Sequence, residues 1–180
     1  AVGLPVNGLP DGLSAQEYLE LALRYEKINQ PELTRDALKR ARRRATKDSV
    51  RELAETRLKT RVPKVVVGSK VHSKLLHAAR HSLLQEPNKA KEIYEELLVS
   101  EPDFEWPYSF VAMIELTNGN LERTKQLLKK GLKLNPDSLK MVAGFARVHV
   151  AEWKLDQFER NIERLEELEP GNEIAAAFKE

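Results

Sequence analysis

Three prolines, Pro102, Pro136 and Pro170, stand 34 residues apart in succession. Each closes an apolar, helix-forming stretch: Leu97-Leu98-Val99 before Pro102, Leu132-Lys133-Leu134 before Pro136, and Leu165 to Leu168 before Pro170. A fixed period of that length constrains the fold strongly. A unit of this size holds two short helices, too few to bury its own apolar face, so successive units must stack into an array. The composition agrees. Charged residues make up 32% of the chain, and there are only 8 glycines in 180 residues, a balance that favours helices over sheet.

The same composition excludes several chemistries. There is no cysteine, which rules out disulfides, zinc held by thiolates and thiol catalysis. No apolar run approaches the roughly 20 residues that span a bilayer, so no membrane insertion is expected. The opening Ala-Val-Gly-Leu-Pro has neither a basic region nor a long apolar one and does not read as a signal peptide. A first residue of Ala rather than Met suggests a processed chain or an excised fragment, and cytoplasmic residence is the default expectation. The near-neutral total hides an asymmetry: residues 1–70 carry 15 Lys/Arg against 9 Asp/Glu, and residues 71–180 carry 15 against 19.

Taken in order, residues 1–13 read as an extended lead-in, broken by Gly3, Pro5, Gly8, Pro10 and Gly12. Ser14 and Glu17 have the spacing of a capping box and open a helix with Tyr18, Leu21, Ala22 and Tyr25 on one face. Pro31 suits the first turn of the next helix, whose apolar line is Leu33, Ala37, Leu38, Ala41 and Ala45. Ser49 and Glu52 form a second capping-box pattern, which favours two helices over one long helix between Pro31 and Val62. Val62-Pro63-Lys64-Val65-Val66-Val67-Gly68 reads as an extended connector that packs its valines. Helix pairs follow over 69–85 with 88–100, 103–117 with 120–134, and 137–151 with 154–168. Asn118-Gly119-Asn120 is a stop and restart between antiparallel helices, and a short capping helix covers 173–180.

This period and pairing resemble the tetratricopeptide repeat (TPR) family. The unit from Glu105 supplies Tyr108, Val111, Ala112, Leu128, Gly131 and Pro136, departing from the pattern at Glu115 and Thr124. The unit from Leu139 supplies Val142, Phe145, Ala146, Phe158, Ile162, Leu165 and Pro170. The unit from Val71 supplies Ala78, Ala90, Tyr94, Leu97 and Pro102, with Lys74 where an aromatic is usual. A fourth unit, 14–47, supplies Tyr18, Leu21, Ala22, Tyr25, Leu38 and Ala41, with Thr46 replacing the closing proline. The resemblance implies an all-α, right-handed solenoid of about four helical hairpins. The first unit is separated from three repeats over 71–172 by an extra helix and connector at 48–70.

The resemblance also implies where a partner would bind. In this family the first helix of each unit lines a concave groove. Carried over, the groove residues are His72, Leu75, Ala79 and Ser82, then Trp106, Ser109, Met113 and Leu116, then Lys140 and Arg147. Trp106, Met113, Leu116 and Leu75 would form an apolar floor for a peptide or helix, with Lys140 and Arg147 at a basic end. The competing possibility is that the extra helix, the connector or the far end of the array fills this groove internally. The asparagines with which one TPR subclass clamps a terminal carboxylate are missing: the corresponding residues include Leu23, Ala79, Met113 and Arg147.

Residues 35–64 hold 12 Lys/Arg against 4 acids, densest from Lys39 to Arg44, and the candidate basic face is Arg35, Lys39, Arg40, Arg42, Arg43, Arg44 and Lys47. This run is an anion-binding face or simply a solvated one, and it lacks the aromatics that stack single-stranded bases, which makes nucleic acid the weaker reading. His77 and His81 fall four apart on a helix, but two imidazoles make a poor zinc site, and the family places packing residues there, as at His149. Glu163, Glu166, Glu167 and Glu169 read as a solubilising outer face near the end of the array. No phosphate loop or nucleophile motif occurs, so no catalytic residue, metal or cofactor is expected. The sequence points to a non-catalytic scaffold for a protein or peptide partner. Anion or nucleic-acid binding and homo-oligomerisation, basic half to acidic half, are its rivals.

Overall fold

The computed structural model of the chain describes residues 8–177. The expectations for residues 1–7 of the lead-in and for 178–180 of the cap fall outside that range. Among the described residues the chain is all-α, with ten helices and no strand, and none of the helices is long and apolar enough to cross a membrane.

Helix α1 (Ala15–Lys27) begins with the expected capping box. The Ser14 hydroxyl accepts from the Glu17 N–H at 3.3 Å, and the Glu17 carboxylate accepts from the Ser14 N–H at 2.7 Å. Two amides that the helix cannot satisfy internally are thereby paired. Pro31 occupies the first turn of α2 (Pro31–Arg44), where a missing N–H costs nothing. A break at 45–47 then separates α2 from α3 (Asp48–Thr60), giving two helices rather than one. The second capping box does not form, because the helix starts ahead of Ser49. Instead the Arg51 guanidinium bonds the Asp48 carboxylate at 2.6 Å and the Ala45 carbonyl at 3.1 Å, fixing the corner.

The connector after α3 has no regular secondary structure and bends at Val62, Lys64 and Val65, with Val62 and Val67 buried and Val66 exposed. A segment outside helix and sheet must find other partners for its backbone, and here three charged side chains supply them. Glu32 accepts from the Val67 N–H, Glu105 accepts from the Lys64 N–H, and the Arg35 guanidinium donates to the carbonyls of Pro63 and Val65 at 2.7 and 2.9 Å.

The remaining helices are α4 (Ser69–Leu83), α5 (Pro87–Ser100), α6 (Trp106–Thr117), α7 (Leu121–Leu134), α8 (Leu139–Ala151), α9 (Leu155–Leu168) and the short α10 (Glu173–Ala177). Contacts are densest within the pairs α1/α2, α4/α5, α6/α7 and α8/α9, and α5/α6 and α7/α8 join one pair to the next. Every small or apolar helix position that carried the family resemblance is buried, apart from the half-buried Phe145 and Phe158, while the period-marking Pro102, Pro136 and Pro170 are exposed. The two departures are accommodated individually. Thr124 bonds the carbonyls of Ala112 and Asn120, and the buried Glu115 carboxylate meets Lys91 at 2.6 Å.

The 34-residue period is also written in the backbone. Gln85, Gly119 and Trp153 close the three hairpins with φ of 58°, 80° and 56°. This is the left-handed C-terminal position that glycine occupies without strain. Glycine serves a second purpose between α7 and α8, where a Cβ on Gly144 would lie 2.7 Å from a Leu128 methyl. One apolar core runs through α4 to α8, around Leu75, Tyr94, Leu97, Trp106, Val111, Leu128 and Met141. The first unit, α1 to α3, has a separate core around Tyr18, Tyr25 and Leu38, and a third core joins α8, α9 and α10.

Candidate partner-binding cleft

The inner helices α4, α6 and α8 carry the residues expected in the groove, but the floor is not open. Trp106 is 1% exposed and Leu75 0%, and Ser109 is buried with its hydroxyl on the Trp106 carbonyl. Trp106 lies between Phe104, stacked at 6.4 Å, and Phe110, edge-on at 6.1 Å, so its surface is spent on the array's own core. This corrects the expectation of an exposed aromatic hot spot. A tryptophan on an apolar helix has the same sequence signature whether it faces a partner or a core. His72, Ala79, Met113 and Leu116 are half-buried, and Ser82 is exposed with its hydroxyl on the Ala78 carbonyl. Two contacts do draw the basic end of the groove toward that floor. Lys140 Nζ sits 4.6 Å above the Trp106 ring, and Arg147 Nη1 lies 3.6 Å from Met113 Sδ.

The first unit covers much of what the groove would have offered, and it does so with charges. Arg61, immediately after α3 and 8% exposed, donates Nε and Nη2 to the two oxygens of Glu169 at 2.7 and 2.9 Å. It also reaches Glu26 on α1 and Glu173 on α10, both at 3.2 Å. Arg57 adds a bond to Glu169 at 3.3 Å, and Lys140 closes the group on Glu26 at 2.9 Å. Burial opposes ionisation of Glu26, but Lys140 and Arg61 outweigh it and hold its carboxyl below the usual range. Glu169 was expected on a solvated face; it is 2% exposed and is the centre of the joint. Sequence periodicity had no means of finding this pair, because its partners are 108 residues apart. The Asn29 amide, in the α1–α2 turn, adds a bond at 3.0 Å to the Tyr94 hydroxyl, which burial pushes up to about 12.

Between the first unit and the last, a cleft of about 400 Å³ remains. Leu23 and Lys27 of α1 form one wall, and Leu139, Lys140 and Arg147 of α8 with Ile174 of α10 form the other. Arg147 is exposed and has no ion pair among the described residues. Asn172 also lines the cleft; it is fully buried, and its Nδ2 has no hydrogen-bond partner. Its Oδ1 is already used by the N–H groups of Ile174 and Ala175. The cleft thus offers apolar surface from Leu23, Leu139 and Ile174 among charged neighbours that include Glu26 and Glu173, and one cation, Arg147, with no ion pair among the described residues, a combination suited to a side chain or chain end bearing an oxygen acceptor.

The basic run divides into two populations. Arg35 is built into the fold through Glu32 and the connector carbonyls, and Arg40 through Asp11, the Pro10 carbonyl and the Tyr18 hydroxyl. Lys39, Arg42, Arg43, Arg44 and Lys47 are exposed. Of the histidines expected to pack, His77 departs from expectation, whereas His81 and His149 are half-buried. His77 is exposed rather than packed, and it meets His81 at 3.2 Å between ring nitrogens, while His81 bonds Glu86 at 2.6 Å. His149 is half-buried on Asn161.

Compared with known proteins, the chain matches no family model, and no curated protein matches it.

Proposed function

We propose that this chain is a non-catalytic protein-interaction scaffold of the TPR kind, a right-handed helical array. It engages a partner segment in the cleft between α1 and the α8–α10 end. The observation that carries this reading is an exposed Arg147, with no ion pair among the described residues, beside Leu23, Leu139 and Ile174 in one cleft. Concave faces of helical arrays are habitual binding surfaces. This one is narrowed by the first unit to its basic end, so the site moves from Trp106 to Lys140, Arg147, Leu23 and Ile174. The 34-residue period, the burial of the repeat-defining positions and the sequential hairpin packing support the family assignment. Lys140 is occupied by Glu26, which leaves Arg147 to set the orientation of the partner.

The test is a photo-crosslinking residue placed at Arg147, compared with one at Lys133 on the outside of α7, followed by mass spectrometry of lysate with and without nuclease. A protein adduct specific to position 147 that survives nuclease supports the reading, and its loss with Ile174→Asp places the partner in the cleft. Equal labelling from both positions removes the cleft from the account. Trp106→Ala is unsuitable here, because it would perturb the core before it reported on binding.

A further inference from the structure

We propose that the corner where α2 turns into α3 is a second interaction surface, one that takes an acidic peptide segment carrying apolar side chains. Arg35, Arg40, Arg51, Arg57 and Arg61 all have acidic partners within the fold. Lys39, Arg42, Arg43, Arg44 and Lys47 lie in the same stretch, are exposed, and form no ion pair among the described residues. At helical spacing Lys39 adjoins Arg42 and Arg43, so like charges stand side by side and oppose folding. The helix dipole compensates Arg42, Arg43 and Arg44 in the last turn of α2. It offers little to Lys39, two turns back, or to Lys47, beyond the helix end.

A cleft of about 530 Å³ adjoins two of these cations, Arg44 and Lys47, with Leu13, Ala15 and Val50 as its apolar surface and Ser14, Gln16 and Thr46 beside them. Apolar side chains next to cations match carboxylates flanking a Leu or Ile better than they match a bare phosphodiester chain. The aromatic ring at this corner cannot stack a base. Tyr18 is 0% exposed, its hydroxyl bonds the Pro10 carbonyl, and the guanidinium groups of Arg40 and Arg44 cover it at 5.8 and 5.9 Å. Charge complementarity and the apolar lining therefore select a peptide. This surface is independent of the α1–α8 cleft.

The test titrates the intact chain with three labelled probes of similar length: a peptide interspersing Glu with Leu, an all-Glu peptide, and a single-stranded RNA. The Glu/Leu peptide should bind most tightly and weaken with added salt. Arg43→Glu/Lys47→Glu should weaken it about tenfold or more, while Lys129→Glu/Lys130→Glu on α7 leaves it unchanged. Circular dichroism of both variants checks that the helices persist. Equal binding of the all-Glu peptide would remove the apolar cleft from the proposal, and tighter binding of RNA would make the corner a phosphate surface. Binding of none of the probes would leave it a solvated face. Concentration-dependent mass abolished by Arg43→Glu/Lys47→Glu would assign it to a second copy of the chain. Each of these four results overturns the proposal.

Discussion

The repeats of the array are joined to one another differently from the way the first unit is joined to the array. From α4 to α8 the contacts between hairpins are apolar and continuous, with Leu75, Leu97, Trp106, Leu128 and Met141 in one core. The first unit has its own core and meets the array through Arg61, Glu26, Glu169, Lys140 and the clamped connector. Burial of apolar surface is indifferent to fine geometry and tolerates repetition. A buried ion group needs each partner in position and loses heavily when one is removed. The comparison teaches that the chain combines a stacked array with a docked unit whose joint responds to charge.

The largest expected effect lies on the apolar side. Trp106→Ala should cost about 5 kcal/mol in denaturant unfolding, since it empties the centre of the array's core. A loss below about 1 kcal/mol would show that this core is not continuous. Next is the joint. Arg61→Met leaves Glu169 buried without its main partner and should cost about 3 kcal/mol, much of it recovered in Arg61→Met/Glu169→Met. If the double variant is no better than the single, the joint is not a mutual pair.

Two buried carboxyls, Glu26 in the joint and Glu105 on its connector, should also respond oppositely to pH. Glu26 has a depressed carboxyl pKa in the folded chain, so its contribution is present above the unfolded value of about 4.3 and is lost as pH falls through the folded one. Hydrogen exchange in α1 and α10 should therefore quicken below about pH 4. Burial pushes the carboxyl of Glu105 up, against the bonds from Asn135 and the Lys64 N–H, so its contribution is complete in acid and is lost as pH rises through the folded value. Glu105→Gln should raise the melting temperature at pH 8 and leave it unchanged near pH 4. The same rise at both pH values would exclude ionisation as the cause. The smallest effect belongs to a turn. Trp153 is 85% exposed with φ of 56°, at the place Gly119 holds one period earlier. Trp153→Gly should stabilise the chain by about 0.5 kcal/mol, as released strain slightly exceeds the added freedom of the unfolded chain.

What the sequence revealed divides along the same line. Pro102, Pro136 and Pro170 mark the stacked hairpins, and Tyr18, Ala78, Val111 and Ile162 lie in the cores that their spacing implied, because local periodicity reports which face of a helix is apolar. It does not report what lies against that face. Trp106 has the pattern of a groove residue and is a core residue, and Glu169 has the pattern of a solvated face and anchors the joint. Both errors concern contacts between distant parts of the chain, where no sequence spacing fixes the partner. Trp153 shows the converse. Its left-handed turn repeats that of Gly119 34 residues on, but it went unread in the sequence because a bulky aromatic conceals what glycine advertises.

The long reach of the Arg61–Glu169 bond has a consequence for assembly. Each hairpin closes over a few dozen residues and can form as soon as its own two helices exist, whereas the joint closes a loop of more than a hundred, at greater entropic cost and lower speed. During synthesis Arg61 emerges early with only Glu26 to pair with, and its other acidic partners, Glu169 and Glu173, leave the ribosome much later. The first unit has a core of its own to pack meanwhile, and its ionic joint to the array can close only once the α9–α10 end has been made.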